Sequence, residues 1–393
     1  MEVSNITLFV GLDVHKSFVE FVSIDEKGNV VNSGQFNNNL HDIDNWRRSL
    51  PTDVSIALEA STSAKFLYQH LYKCGLNVIP ANPWTLHLIS KSSSKTDEKD
   101  AYRLAQLLRL DFLPRAYMTT DKWDEIKLLV HHRKKLAEQM TVVKNEIHSL
   151  LVLAGINHSF SDLFGKKGLE FLVNLKLDGA KDIILKNLLD SLKQLSETST
   201  KIEGILAGIA TSIPEVELLM TVPGIDIFTS ITILAEIGGD INRFPSAKKL
   251  CSYAGLIPIV RASGGTVKHS RITKRGSSTL RWALTTAAQS ATRTRYEHRL
   301  KKFYTRLRLR GKPAKVALVA TARKLLVIIY NMLINNERYR DESGYLTLNK
   351  RKRWRRLLNK SLPEFEKVKH DLLRIEEISE FLNSKGGGII CRR

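Results

Sequence analysis

Four acidic residues stand where the sequence predicts strand ends or a helix start. Asp13 and Glu59 each follow a short apolar run of the kind that forms a buried strand. Asp97 and Asp100 open a predicted helix, and their spacing of three places both on one helical face. Clustered carboxylates repel one another unless a cation binds them, and oxygen ligands of this kind suit Mg²⁺. We therefore predict a magnesium site formed by these four acids.

Each of these acids alone also has an ordinary structural interpretation. Asp97 and Asp100 could simply stabilise the start of a helix. Asp13 could cap a turn, and Glu59 could be an exposed strand end. It is the set, in this order and on this pattern of strands, that favours a metal site able to act on phosphodiesters.

A serine in the second half of the chain is a candidate nucleophile. Ser263 precedes Gly264 and Gly265 in what we expect to be a flexible, exposed turn. A serine there could attack a phosphodiester if a base or a metal activates it. From spacing alone, a plain Ser-Gly-Gly loop is the preferred interpretation. Nor does sequence chemistry exclude three other serines, which are Ser270, Ser277 and Ser278.

Positive charge is concentrated around and beyond this serine. Between Arg261 and Lys360 there are 27 Lys or Arg residues against 4 Asp or Glu, whereas the whole chain has a net charge of +21. Such a stretch predicts a polyanion partner, because neutralised phosphates release their counterions. A solvated face or a binder of anionic membranes is the alternative. The predicted nucleic-acid contacts are Arg261, Lys268, Arg271, Lys274, Arg275 and Arg281.

Other classes of protein are disfavoured. The three cysteines, Cys74, Cys251 and Cys391, lack the paired spacing of a thiolate zinc site or a disulfide framework. No Gly-rich phosphate loop is present. The longest apolar run, 316–333, is interrupted by Arg323 and Lys324, and the N-terminus does not resemble a signal peptide. We expect a cytoplasmic protein with no membrane partner.

The pattern of apolar residues predicts an α/β region followed by a helical one. Three strands with a turn at residues 25–29 suggest a β-meander, followed by alternating helices and strands up to a helix that begins at Asp97. Two long helical patterns lie between residues 126 and 209. They fit either an antiparallel coiled-coil-like hairpin or two ordinary bundle helices. Near Val222-Pro223-Gly224-Ile225, a helix-hairpin-helix turn could offer backbone N–H groups to a phosphate, although Asp226 replaces the usual second glycine.

Several of these segments together resemble one known family. The motifs, in chain order, are Gly11-Leu12-Asp13-Val14-His15-Lys16, Leu58-Glu59-Ala60, Lys95-Thr96-Asp97-Glu98-Lys99-Asp100-Ala101, Val222-Pro223-Gly224-Ile225, Tyr253-Ala254-Gly255-Leu256-Ile257-Pro258, Ser263-Gly264 and Ile272-Thr273-Lys274-Arg275-Gly276. The chain resembles the IS110-family transposases of bacterial insertion sequences, which are related to Piv-type DNA invertases. The resemblance covers roughly residues 7–340.

The resemblance implies a fold and a set of site residues. It implies an α/β plus α architecture, with a ribonuclease H-like (RuvC-like) catalytic domain at 1–115 and a helical coiled-coil region at 116–212. A mainly helical transposase domain with a helix-hairpin-helix-like motif is expected at 213–345, and a basic tail at 346–393. By motif, Asp13, Glu59, Asp97 and Asp100 match the family's Mg²⁺-binding quartet, and Ser263 matches its serine nucleophile.

The expected function is that of a transposase or site-specific recombinase that cuts and rejoins DNA. The resemblance further implies donor and target DNA, a structured guide RNA encoded by the element, and homodimers that pair into tetramers near the bacterial nucleoid. Two alternatives remain open from the residues. One is a RuvC-like structure-selective nuclease that uses only the acids and water. The other is a non-catalytic nucleic-acid-binding regulator.

Overall fold

The computed structural model describes residues 7–89, 96–118, 121–263 and 266–359, with the side chains of residue 121 and residues 260–270 left outside the description. The chain forms two compact units that divide between Asp121 and Lys122. The predicted four-part division of the chain remains a prediction.

The first unit contains a mixed sheet and four helices within the described residues. They are β1 (Leu8–Val14), β2 (Phe18–Ile24), β3 (Val30–Asn37), α1 (Leu40–Arg48), β4 (Val54–Glu59), α2 (Thr62–Lys73), β5 (Asn77–Ala81), α3 (Pro83–Ile89) and α4 (Asp97–Arg109). The predicted meander, the alternation after it and the helix beginning at Asp97 are confirmed. Helix α3 was not predicted.

The five strands lie in the order β3-β2-β1-β4-β5. β2 is antiparallel to both β1 and β3, whereas β4 is parallel to β1 and to β5. The tight turn between β2 and β3 contains Gly28 at φ 91°, and the antiparallel order of the first three strands follows from such short connections. The parallel strands are instead joined through helices, as a parallel connection requires.

Helices cover both faces of this sheet, so even-numbered and odd-numbered residues of a strand pack against different helices. Val10 and Leu12 of β1 pack in one apolar cluster with Ile43 of α1 and Leu67 of α2. On the opposite face, α4 packs its buried residues Ala101, Leu104, Ala105 and Leu108. Strand positions on the α4 face include Ala57 of β4, and Val22 and Ile24 of β2. Odd-numbered residues of β1 and β4 therefore face α4.

The second unit is mostly helical. Its elements are α5 (Asp121–Leu153), which begins at the division between the units, α6 (Lys166–Asn174), α7 (Ala180–Ile209), α8 (Pro214–Met220), α9 (Ile227–Ile237), α10 (Ala247–Tyr253), β6 (Pro258–Ser263), β7 (Thr266–Ile272), α11 (Ser278–Thr292), α12 (Arg299–Leu309) and α13 (Ala314–Asn335). A further helical stretch covers residues 344–359.

The long helices α5 and α7 run antiparallel. The start of α5 and the end of α7 share one apolar cluster, to which Val130 and Leu206 belong. The opposite ends share another cluster with α6, to which Leu151 and Leu185 belong. Two long helices were predicted, with an antiparallel hairpin as one of two interpretations, but the short α6 that packs against their far ends was not.

The main core of this unit is formed by α8–α13 together with the near ends of α5 and α7. Buried Glu236 of α9 contacts His131 and Lys127 of α5, so an ionic contact joins the long helix to this core. Helix α13 is long and apolar enough, by length and composition alone, to cross a membrane. Its residues Leu325, Leu326 and Ile329 are nevertheless buried in this core.

Two parts of the second unit differ from the sequence prediction. The segment around Ser263 forms an antiparallel hairpin, β6–β7, where we expected a flexible turn among helices. The first residues of the predicted basic tail are helical, and Trp354 there is buried and donates its indole N–H to the carbonyl of Ala207 at 3.0 Å. Apolar burial of Trp354 explains why this stretch is part of the folded unit.

Candidate active site

The carboxyl ends of β1 and β4 bring two of the predicted acids next to each other in register. Leu12 is paired with Leu58 in the parallel ladder, and Asp13 and Glu59 are the next residue of each strand. Because both belong to the odd-numbered set, both lie on the α4 face. The antiparallel ladder adds a third carboxylate on this face, since Asp13 is paired directly with Glu20 of β2.

Helix α4 can approach this edge of the sheet because residue 11 is glycine. A Cβ on Gly11 would overlap the carbonyl oxygen of Ala101 and would lie 2.6 Å from the backbone N of Ala105. Helix and strand are therefore in backbone contact, which a larger residue would prevent. The helix begins nearby with Thr96 as its N-cap, whose side chain accepts a hydrogen bond from Lys99 N. This contact brings the first turn of α4, which carries Asp97 and Asp100, to the end of β1.

His15 lies between two of the acids. Its Nε2 is 3.3 Å from Oδ2 of Asp13 and 3.3 Å from Oδ2 of Asp97, and its ring stacks on Phe18 at 4.5 Å between centroids. One oxygen from each carboxylate therefore faces a common point. Those three residues are close enough for one ligand atom from each to bind a single metal ion.

The electrostatics of this edge favour a bound cation. Burial raises the pKa of Asp13, and the charges of Asp97 and Asp100 raise it further, whereas His15 opposes them. Burial also raises the pKa of Glu20, with the charges of Glu98, Asp97 and Asp13 adding to the effect. Burial and the charges of neighbouring acids therefore act in the same direction on both carboxyl groups.

The remaining two predicted acids have different surroundings. Asp100 forms an ion pair with Arg103 one turn along α4, at 2.8 Å. Glu59 is exposed at the end of β4 and also interacts with another residue. The structure thus brings Asp13 and Asp97 together through His15. Glu59 lies at the register position beside Asp13. Asp100 is close enough for its charge to raise the pKa of Asp13.

The candidate nucleophile lies in the second unit. Ser263 is the last residue of β6 and is paired with Thr266, the first residue of β7, across the Gly264-Gly265 connection. Those two glycines and the side chain of Ser263 lie outside the described residues, as do the side chains of Arg261, Lys268 and Ser270. The role of Ser263 as a nucleophile remains a prediction.

The predicted basic contacts fall into two groups. Arg271 is exposed near the end of β7, and Lys274 and Arg275 are exposed on the loop that follows it. Arg281 instead donates from Nη1 to the carbonyls of Ala254 at 3.1 Å and of Gly276 at 3.0 Å. Arg281 therefore fastens the loop to α10 and α11, and its predicted contact with nucleic acid is untested.

The predicted helix-hairpin-helix turn, which lies between α8 and α9, is packed against other parts of the second unit. Gly224 has φ 82°, and a Cβ there would overlap the carbonyl of Ala287 and lie 2.6 Å from Ala291 N, so the turn packs on α11. Lys350 donates to the carbonyls of Met220 and Val222 at 2.7 Å each. Asp226 is the N-cap of α9 and accepts from Thr229 N. These packed groups argue against the glycine turn as a phosphate site.

The residues at this end of the sheet form what we call the acidic edge: Asp13, His15, Glu20, Glu59, Asp97 and Asp100. Two of them were not found by sequence reasoning. His15 is two residues after Asp13, and Glu20 is separated from it by the β1–β2 turn. The signal that could have found them is the register of the meander: a tight turn after β1 returns the chain beside Asp13. Histidine and glutamate at such positions would then have been candidates.

Two family models match separate parts of the chain. The DEDD transposase model of the IS110 type matches residues 10–156, and the model of the transposase IS116/IS110/IS902 family matches residues 216–305. The chain is 30% identical to the pilin gene-inverting protein of Moraxella bovis over 269 residues, which cover 65% of this chain and 72% of that protein.

Two further relatives extend the comparison. The IS110 element protein of Streptomyces coelicolor is 28% identical over 155 residues, covering 39% of this chain and 38% of the relative. A protein of Pseudomonas aeruginosa described as a probable family 20 transposase is 22% identical over 339 residues, covering 84% of this chain and 98% of the relative. The chain therefore belongs to the IS110 family of transposases, enzymes that cut and rejoin DNA.

Proposed function

We propose that this transposase moves or inverts a DNA element, using Asp13, Glu59, Asp97 and Asp100 to bind metal and Ser263 as its nucleophile. The observation that carries the proposal is the position of His15 Nε2, 3.3 Å from an oxygen of both Asp13 and Asp97. Carboxylates from a strand end and a helix start are thereby brought to one point. The pilin gene-inverting protein of M. bovis supports inversion as one outcome of the reaction.

A ribonuclease H-like fold for the first unit is part of this proposal. It is supported by the strand order β3-β2-β1-β4-β5 with only β2 antiparallel to its neighbours. It is supported as well by acids at the carboxyl ends of the two central parallel strands. In such a sheet, strand ends carry the functional side chains because the loops and helix termini converge there.

The donor set fits a hard divalent cation. All four proposed ligands are carboxylates, which are the ligands that Mg²⁺ prefers, and Asp13 and Asp97 already direct oxygens to one position. When bound, Mg²⁺ would stabilise negative charge that develops on a phosphodiester. In this proposal His15 contacts two of the ligand carboxylates, and Asp100 would have to leave its contact with Arg103 to bind the cation.

Ser263 would form the covalent link to DNA. Its hydroxyl oxygen would attack the phosphorus, forming a serine–phosphate bond as the bond to a deoxyribose oxygen breaks. The serine proton would pass to a base or to solvent, and the departing oxygen would take up a proton. Arg271, exposed near the end of β7, and Lys274 and Arg275, exposed on the loop after it, would hold the phosphate backbone.

The partners are proposed with the same function. A structured guide RNA encoded by the element, dimers that pair into tetramers, and a place at the bacterial nucleoid all rest on the resemblance to the family. The concentration of 27 Lys or Arg residues between positions 261 and 360 supports extensive contact with nucleic acid.

Strand exchange on a plasmid carrying the element's ends tests the proposal. Ser263→Ala and Asp13→Asn should each abolish exchange, whereas Ser278→Ala should retain it, since Ser278 is exposed at the start of α11 and is not its N-cap. Exchange at the wild-type rate by Ser263→Ala would exclude the serine mechanism. Cleavage without rejoining by the wild-type protein would favour the nuclease alternative.

A further inference from the structure

A second group of metal-ligand side chains lies in the first unit, on α1 and α2. Asp44 belongs to α1, His70 to the last turn of α2, and Cys74 is the C-cap of that helix. His70 Nε2 is 2.9 Å from Asp44 Oδ1, and Cys74 Sγ is 4.0 Å from His70 Nε2. All three ligand atoms lie within 4.8 Å of one another.

The spacing of these atoms is close to that of a tetrahedral zinc site. Zinc bond lengths of about 2.0 Å to nitrogen and oxygen and about 2.3 Å to sulfur require edges of about 3.3 Å between N and O, and about 3.5 Å between N and S. The observed 2.9 and 4.0 Å each depart from those edges by about half an ångström. Side-chain rotation alone could provide such adjustments.

Local structure orients the three groups toward one another. His70 and Cys74 are four residues apart, which places them on the same face of α2. The ring of Phe66, one turn earlier, stacks beside His70 at 6.5 Å. Ile43 of α1 and Leu71 of α2 are buried in the same apolar cluster, so the two helices hold Asp44 against His70.

The ligand chemistry differs from that of the acidic edge. Thiolate and imidazole are ligands for zinc-like ions, whereas carboxylates alone suit Mg²⁺. Asp44 Oδ1 also accepts from Arg47 Nε at 3.2 Å, and a cation bound to this oxygen would displace or share that contact.

We propose that Asp44, His70 and Cys74 bind a zinc-class divalent cation, with a fourth position left for water. The cysteines lack the spacing of a site built from thiolates alone, but this site needs only one of them. The cation would replace the thiol proton and join α1 to α2, and it is independent of the magnesium chemistry proposed for the acids.

Titration of the full-length protein with Co²⁺, in excess Mg²⁺, tests this proposal. Cobalt bound to a thiolate gives a charge-transfer absorption band in the near ultraviolet, whereas cobalt on carboxylates alone does not. The wild-type protein should show the band, Cys74→Ser should lose it, and Zn²⁺ should displace it. His70→Gln and Asp44→Asn should weaken Co²⁺ binding by at least ~10-fold.

His41→Gln is the matched control, because His41 is an exposed histidine on α1 that contacts Asn45 and not this group. It should bind Co²⁺ like the wild type. Absence of the band in the wild-type protein, or its persistence in Cys74→Ser, would overturn the proposal. Neither result bears on recombination, which is measured with Mg²⁺ alone.

Discussion

Gly11 and Ala101 are in backbone contact, so that α4 lies directly on β1 two residues before Asp13. This contact fixes where the first turn of α4 can lie. The approach of Asp97 to Asp13 therefore depends on a glycine that carries no functional group. A residue with a side chain at position 11 would move α4, and with it Asp97 and Asp100, away from Asp13.

Gly11→Ala should destabilise the first unit by about 2 kcal/mol or more, because the added methyl group must displace backbone atoms. Gly34→Ala is the control, since a Cβ there would meet only the ring of Phe21, at 3.4 Å. Urea denaturation of both variants checks this. Equal stability of the two would show that α4 is not held in contact with β1.

Asp13→Asn should remove metal-dependent stabilisation without destabilising the metal-free protein. The half-buried Asp13 carboxylate is repelled by the neighbouring acids, so a neutral amide should be tolerated when no cation is present. Thermal unfolding with and without Mg²⁺ measures both effects. Asp111→Asn, an exposed acid paired with Arg115, should respond to Mg²⁺ like the wild type. A full Mg²⁺ response in Asp13→Asn would contradict the proposed ligand set.

Lys350 should give the second unit a pH-dependent stability. Burial lowers the pKa of Lys350 from 10.5 to about 8. Between these values the unfolded chain binds more protons than the folded chain, so stability rises with pH. Relative to Lys350→Met, the wild type should gain up to about 3 kcal/mol from pH 8 to 10.5, since one pKa unit is about 1.4 kcal/mol. Denaturation of both proteins across this range checks the prediction, and a constant difference would contradict it.

Trp354 should be a stabilising core residue despite its basic surroundings. Trp354→Ala should cost about 3–5 kcal/mol, the usual loss for a buried aromatic residue. A chain ending at residue 343 should be destabilised likewise, whereas Arg353→Ala, at an exposed neighbouring position, should have little effect. Guanidinium denaturation compares the three. Wild-type stability of the chain ending at 343 would show that the helical stretch 344–359 does not support the unit.

Much of the first unit could be predicted from sequence because its strands and helices are short and strongly patterned. The apolar run ending near Leu12 and the inward face of α4 at Ala101, Leu104 and Leu108 are examples. The position of His15 could not be read in the same way, because it depends on strand register and on the packing allowed by Gly11.

In the second unit, two elements were not predicted although the sequence contains signals for them, because the basic residues around them favoured a loop or a tail. The Gly264-Gly265 pair is itself a signal for a two-residue hairpin turn, but the basic residues on both sides of it favoured a loop. Trp354, Leu357 and Leu358 have helical spacing, yet the surrounding arginines suggested a tail. Net charge describes the partner of a segment better than its fold.

The most direct test of serine recombination is to trap the protein on DNA that carries the element's ends, with Mg²⁺, and to denature the mixture. A covalent adduct should survive denaturation for the wild type and for Ser278→Ala, and should be absent for Ser263→Ala. Peptide mapping should find the phosphodiester on Ser263. DNA cleavage with no adduct, or an undiminished adduct in Ser263→Ala, would contradict the account.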